Sequence, residues 1–396
     1  MALQFIYGNP GCGKSEILYQ KLTTHAKKDP FQRIFLIVPE QFTLETQKKM
    51  VRRSNGHVIT NIDVVSFERL AFRSFEEIGI RPNVLEDNGK NLMLRKIAGD
   101  HTDELTYLRA NIKKFGYVEE VKSMLSELMQ YAVSPQDLET ILSDLSPDSS
   151  LHHKLSDILI MYRGMEDRFQ DSLLVAEQLP DVLASYVQEI PMLQNAVFAF
   201  DGFTGFTPVQ EKLIDALMAV SADLYFTVTL DAAESVSTKP TVKDFALEQL
   251  FYMSKRMIWN LLRLADQNQI TVNEPIAAGQ GIHARFAGKP AFQHLERNLF
   301  RPSAKAFSGI QDEIHITSCA NPKEELEYAI YRIAEMVRKD GCRYRDFAIV
   351  SANAETYDHY AKGLMNTYGI PYFSDRKRDI TSHPLTEAIR AQFEII

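Results

Sequence analysis

The chain has 396 residues, 45% apolar and 24% charged, the composition of a soluble globular protein long enough for two or three domains, which excludes a disordered or fibrous molecule. Lys+Arg 44 against Asp+Glu 52 leaves a net charge of −8, which argues against bulk attraction to nucleic acid, so any DNA contact must use a local basic or aromatic surface. The three cysteines, Cys12, Cys319 and Cys342, form no CxxC or His-Cys pattern, so neither a disulfide framework nor a cysteine metal cluster is expected. Near the N-terminus Gln4, Asn9 and Lys14 interrupt the apolar run far short of the about 20 residues a membrane span needs. A cytoplasmic protein with no membrane partner is expected.

The first eighty residues alternate strand and helix, with strands at Leu3-Gln4-Phe5-Ile6-Tyr7, Ile34-Phe35-Leu36-Ile37-Val38 and Ile62-Asp63-Val64-Val65. Such alternation, with nearly continuous apolar strands, predicts a parallel α/β sheet buried on both faces. From about Leu85 to Tyr186 helical periods take over, as in Leu92, Leu94, Ile97 and later Val121, Met124, Leu125, Leu128, which predicts an all-helical insertion without strands. Strands return at Ala196-Val197-Phe198-Ala199-Phe200 and Leu224-Tyr225-Phe226-Thr227-Val228, so one sheet is split in sequence. Small and polar residues mark loops from Asp231 to Pro240 and from Ala277 to Gly288, around a helix at Phe245 to Ala265. A second α/β unit is expected from Glu313, with strands at Ile314-His315-Ile316-Thr317 and Phe347-Ala348-Ile349-Val350 and an amphipathic helix from Lys323 to Lys339. His383-Pro384 reads as a helix start, and the uncapped apolar ending at Ile395-Ile396 is expected to continue into further segments. The expected domains are a core in two parts, 1–84 and 191–305, a helical insertion over 85–190, and the beginning of a second core over 306–396.

Gly8-Asn9-Pro10-Gly11-Cys12-Gly13-Lys14-Ser15 satisfies G-x-x-x-x-G-K-[ST] between a strand and a helical run, the context of a P-loop. Glycines let the backbone curl so that its N–H groups face phosphate oxygens, and the helix N-terminus adds positive potential. Lys14 is expected on the β- and γ-phosphates and Ser15 on Mg²⁺. Gly8, Gly11, Cys12 and Gly13 supply the cradle. Asp201, ending the strand at 196–200, is the candidate acidic residue for the metal, with a plain turn cap as the alternative. The general base of a helicase ATPase commonly follows that aspartate, but Gly202 stands there.

Four strings in this order, the P-loop, Val38-Pro39-Glu40-Gln41-Phe42-Thr43, Ser66-Phe67-Glu68-Arg69-Leu70-Ala71-Phe72-Arg73 and Asp201-Gly202-Phe203-Thr204-Gly205-Phe206-Thr207-Pro208, make the chain resemble the B subunit of the AddAB/RexAB helicase-nucleases. Glu324-Glu325-Leu326-Glu327-Tyr328-Ala329, Phe347-Ala348-Ile349-Val350, Gly369-Ile370-Pro371-Tyr372-Phe373 and His383-Pro384-Leu385 extend the likeness, which also touches the second core of UvrD-type helicases. The resemblance implies a RecA-like, UvrD-type P-loop core, α/β in class. It implies ATP and Mg²⁺ as cofactors, an A subunit as heterodimer partner, and DNA, single-stranded and at duplex ends, as the other partner. It implies processing of double-strand breaks for recombinational repair, with this region reading single-stranded Chi sequence. A nuclease domain and an iron-sulfur cluster are implied only in a C-terminal part outside this chain. On the family's pattern Gln41, Thr43, Phe67, Arg69, Phe72 and Phe206 fall on the strand path, where amides, cations and flat rings meet bases and phosphates. For Phe67 and Phe72 a core position at helical spacing is the alternative.

Departures from an active motor are also legible. Only seven residues precede Gly8, so the upstream adenine-reading glutamine of UvrD-type motors is expected to be missing, and Thr229-Leu230-Asp231-Ala232 holds no glutamine after the next strand. Slow or absent hydrolysis and no independent unwinding are expected. Two basic clusters, Lys48-Lys49 with Arg52-Arg53 and Arg376-Lys377-Arg378, could meet phosphate or be solvated faces. His152-His153 and His383 lack metal-ligand spacing. A small-molecule P-loop kinase with a helical lid, or a scaffold with a vestigial nucleotide site, remain as alternatives.

Overall fold

A computed structural model describes residues 2–53, 61–110, 115–169, 173–231, 234, 236, 247–279, 285–301, 304–374 and 383–395. The chain divides into two compact units, Met1–Gly309 and Ile310–Ile396.

In the first unit β1 (Ala2–Gly8), α1 (Lys14–Lys28), β2 (Ile34–Ile37), α2 (Thr43–Arg53), β3 (Ile62–Val65) and α3 (Phe67–Glu77) follow the expected alternation. A short strand β4 (Asn83–Leu85) then leads into α4 (Asp87–Asp100), α5 (Phe115–Gln130), α6 (Pro135–Ser143) and α7 (Ser150–Phe169). The chain returns through β5 (Leu173–Val175) and α8 (Leu179–Tyr186) to β6 (Val197–Phe200), α9 (Pro208–Val220) and β7 (Asp223–Thr229). It closes with α10 (Tyr252–Gln267), β8 (Thr271–Val272), β9 (Ile276–Ala277) and α11 (Pro290–Asn298).

The main sheet has the order β3-β2-β6-β7-β1-β8, with β9 also on β1, and its ladders are parallel. One strand, β7, separates the P-loop strand β1 from β6, which ends at the candidate aspartate. That order is the one of RecA-like cores. Period-two alternation sends neighbouring residues to opposite faces. Phe35, Ile37, Phe198 and Phe200 pack with α3, α8, α9 and α10, whereas Ile34, Leu36, Val197 and Ala199 pack with Leu18, Tyr19 and Leu22 of α1 and Met50 of α2.

The helical insertion has its own core, in which Leu94, Ile97, Val121, Leu125, Ile158, Met161 and Met165 are buried together. It is not free of strands. β4 and β5 pair in parallel, Asn83 with Leu173 and Leu85 with Val175, and so tie its entry to its exit. Three-residue strands carry too little periodicity to stand out from helical flanks.

The second unit packs Leu326, Ile330 and Ala334 of α12 (Pro322–Lys339) against Leu364 and Met365 of α13 (Glu355–Tyr368), with Ile370. Its last helix is α14 (Pro384–Ile395). The stretches 314–317 and 347–350, expected as strands of a second α/β core, form no strand. Strands need a partner for their backbone groups; none pairs here among the described residues, and Ile316 and Val350 are almost fully exposed.

Candidate nucleotide site

β1 ends at Gly8 and α1 begins at Lys14, so the P-loop joins a buried strand to a helix N-terminus. Gly13 precedes α1 at φ 95°, a left-handed conformation that a side chain would strain. The Lys14 ammonium donates to the carbonyls of Gly8 (2.8 Å) and Asn9 (3.0 Å). Burial pushes the ammonium below its ordinary pKa, and its neighbours Cys12, Asp201 and Glu296 act the other way. The loop is covered from one side: Arg285 N–H donates to the Gly11 carbonyl at 2.8 Å.

Asp201 lies at the end of β6 and is buried. Its carboxylate accepts three hydroxyl hydrogen bonds. Ser15 Oγ (2.9 Å) and Thr227 Oγ1 (2.6 Å) donate to Oδ1, and the Tyr19 hydroxyl (2.7 Å) donates to Oδ2. Ser15 and Tyr19 are four residues apart on α1 and therefore share a face, while Thr227 comes from the intervening strand β7. Burial first, then the Asp201 charge, push the Tyr19 phenol well above the ordinary tyrosine range, so it stays a donor. A hydroxyl and a carboxylate meeting beneath a loop of backbone N–H groups form a set of hard oxygen donors suited to Mg²⁺ with a polyphosphate.

Gly202 has φ 82°, so the turn after Asp201 is shaped for glycine, and a glutamate there would be strained. Tyr19 and Thr227 escaped sequence reasoning, because one reads as a helix core position and the other as a strand residue. The i, i+4 spacing of Tyr19 from Ser15 was the available signal. Glu296 on α11 also joins this edge. Burial first, and then Asp231, push its carboxyl above the ordinary range, against Arg297, Arg301 and Lys14. Arg301 in turn bridges Asp231 (2.8 Å) and Glu234 (3.2 Å).

The six positions expected on a DNA strand path separate by depth. Gln41 lies exposed in the single 3-10 turn Glu40–Phe42 that follows β2. Arg69, also exposed, donates from Nε to Glu40 Oε1 at 3.0 Å, and Phe72, one turn along α3, is 38% exposed. Thr43 is buried, with its hydroxyl on the Glu40 carbonyl (2.9 Å). Phe67 is 7% exposed and joins Phe200, Phe203 and the half-buried Phe206 in one aromatic cluster. Of the basic residues on α2, Lys49 pairs with Glu45 (2.7 Å) and Arg53 with Glu16. Arg376-Lys377-Arg378 lies outside the described residues. No group of three or more His, Cys, Asp or Glu residues able to hold a metal occurs among the described residues, and no helix among them is long and apolar enough to cross a membrane.

Sheet order, P-loop and strand-end aspartate define a P-loop protein with a RecA-like core. The family model described as ADDB, N-terminal, matches residues 5–296, and the chain belongs to that family. Its relatives include proteins named as the B subunit of an ATP-dependent helicase/deoxyribonuclease. That of Lachnoclostridium phytofermentans is 37% identical over 400 residues, and that of Desulforudis audaxviator 31% over 402 residues. The protein of the same name from Symbiobacterium thermophilum is 30% identical over 400 residues. Each match covers 100% of this chain and 34% of the relative, so the chain spans about a third of the length of these proteins.

Proposed function

We propose that this chain is the N-terminal, helicase-like part of the B subunit of an ATP-dependent helicase/deoxyribonuclease that processes double-strand DNA breaks for recombinational repair. It works beside an A subunit, binds ATP with Mg²⁺ at Gly8–Ser15 and Asp201, and reads single-stranded DNA, including Chi, on the same edge of the sheet. The nuclease and its iron-sulfur cluster belong to the rest of such a protein.

The observation that carries the nucleotide reading is the Ser15 hydroxyl bonded to the Asp201 carboxylate directly beneath the P-loop. The backbone N–H groups of the P-loop and Lys14 would hold the phosphates of ATP, and Mg²⁺ held by Ser15 and Asp201 would offset their charge. Turnover is slow, because Gly202 occupies the position from which a glutamate would activate water, in a turn that glycine alone adopts easily.

Isothermal titration of the purified chain with ATP and Mg²⁺, paired with phosphate release with and without single-stranded DNA, tests this. Binding with negligible release is expected, and Lys14→Ala should weaken binding by about 2–3 kcal/mol through loss of charge-assisted phosphate contacts. Strong DNA-stimulated release would make the chain a working motor, and no binding at all would refute the nucleotide site.

A further inference from the structure

We propose that Tyr19 is a positioning residue for the metal-bound nucleotide, acting through Asp201; this rests on the nucleotide reading above and deepens it. With a cation in the site, the Ser15 hydroxyl would offer it a lone pair while its proton stays on Asp201 Oδ1. The two carboxylate oxygens are then held unequally. Thr227 grips Oδ1 from the sheet, and Tyr19 alone grips Oδ2. A carboxylate held at one oxygen can still swing about that contact, whereas one held at both is aimed. Second-layer donors of this kind fix the orientation of the groups that touch a metal or its waters.

Tyr19 is itself held on more than one side. Thr46 of α2 is a buried neighbour of the Tyr19 hydroxyl, the Arg53 guanidinium, also from α2, lies 5.8 Å from the ring centroid, and Arg53 is paired with Glu16. Both Tyr19 and Thr46 are buried, so neither has bulk water as a ready alternative partner. The ring is therefore packed between α1 and α2, and a phenylalanine keeps that packing while removing the bond to Oδ2.

The test compares the full chain with Tyr19→Phe by titrating a fluorescent ATP analogue in excess Mg²⁺ and again in EDTA, with Mn²⁺ electron paramagnetic resonance as a second readout. Affinity in EDTA should stay within about two-fold of wild type, while the gain conferred by Mg²⁺ falls roughly ten-fold. The Mn²⁺ spectrum with nucleotide should broaden relative to wild type. Arg53→Gln, which removes the guanidinium over the Tyr19 ring, should lower the Mg²⁺ gain in the same direction by about three-fold, and stands in if Tyr19→Phe does not fold. An undiminished Mg²⁺ gain in the variants, or equal loss with and without metal, would overturn the role of Tyr19 alone. Absence of nucleotide binding by the wild type would overturn the nucleotide reading together with it.

Discussion

Buried carboxylates in this molecule are satisfied by hydroxyls and backbone N–H groups more than by cations. Asp157 on α7 accepts from the Thr106 N–H and hydroxyl and from the Leu108 N–H at 2.7 Å, which pins the loop after α4 to the insertion core. Asp201 follows the same pattern, with three hydroxyls and no cationic side chain as its hydrogen-bond partners among the described residues. Glu296 contrasts with both. Its carboxyl is raised above the ordinary value of 4.5 by burial first and by the Asp231 charge second. A carboxyl with a higher pKa in the folded state contributes stability that is present below the unfolded value and lost as pH rises through the folded one. Glu296→Gln should therefore melt higher than wild type at pH 7 and close to wild type at pH 4. Equal melting temperatures at both pH values would show that Glu296 is ordinary.

At the scale of elements, the neck of the helical insertion is the sharpest structural device. β4 and β5 pair there, and beside them the Lys90 ammonium of α4 meets both Glu177 carboxylate oxygens at 2.8 and 2.9 Å, with both side chains largely buried. Removing one partner leaves a buried charge, so Glu177→Ala should cost about 3 kcal/mol, whereas Lys90→Met with Glu177→Leu should stay within about 1 kcal/mol of wild type. Urea unfolding measures both, and hydrogen exchange should place the loss in the insertion. Strands β1, β2, β3, β6 and β7 of the main sheet were legible because four or more mostly apolar residues ran together, as in Ile34–Ile37 and Val197–Phe200, whereas β8 and β9, of two residues each, were not. The neck was not, since Asn83–Leu85 and Leu173–Val175 are stabilised by a partner some ninety residues away, a relation no local period encodes. The reverse error came at 314–317 and 347–350, where apolar runs alone suggested strands that have no partner among the described residues.

At the scale of the first unit, parallel strands collect their C-terminal ends on one edge, where ligands bind in folds of this class. The P-loop, the Glu40–Phe42 turn, the start of α3 and Asp201 all lie there because each directly follows a strand. The motif made the position of the P-loop on this edge legible, whereas burial at the Glu40–Phe42 turn and on α3 was not legible from sequence. Thr43 and Phe67 are buried, and Gln41, Arg69 and Phe72 face outward. A strand of DNA laid on this edge would stack a base on Phe72 and draw Arg69 from Glu40 to a phosphate. With a net charge of −8 there is little diffuse attraction to mask that exchange. Arg69→Ala should thus reduce the slope of log affinity against log salt by about 0.7, the value for one phosphate contact on a single strand. Phe72→Ala should weaken binding by about 1–3 kcal/mol with the slope unchanged. Fluorescence anisotropy of a labelled oligonucleotide across a salt series reads both quantities, and ATP affinity measured alongside should be unaffected by either substitution. If both variants bind like wild type, the outward faces of α3 and the Glu40–Phe42 turn do not carry the strand.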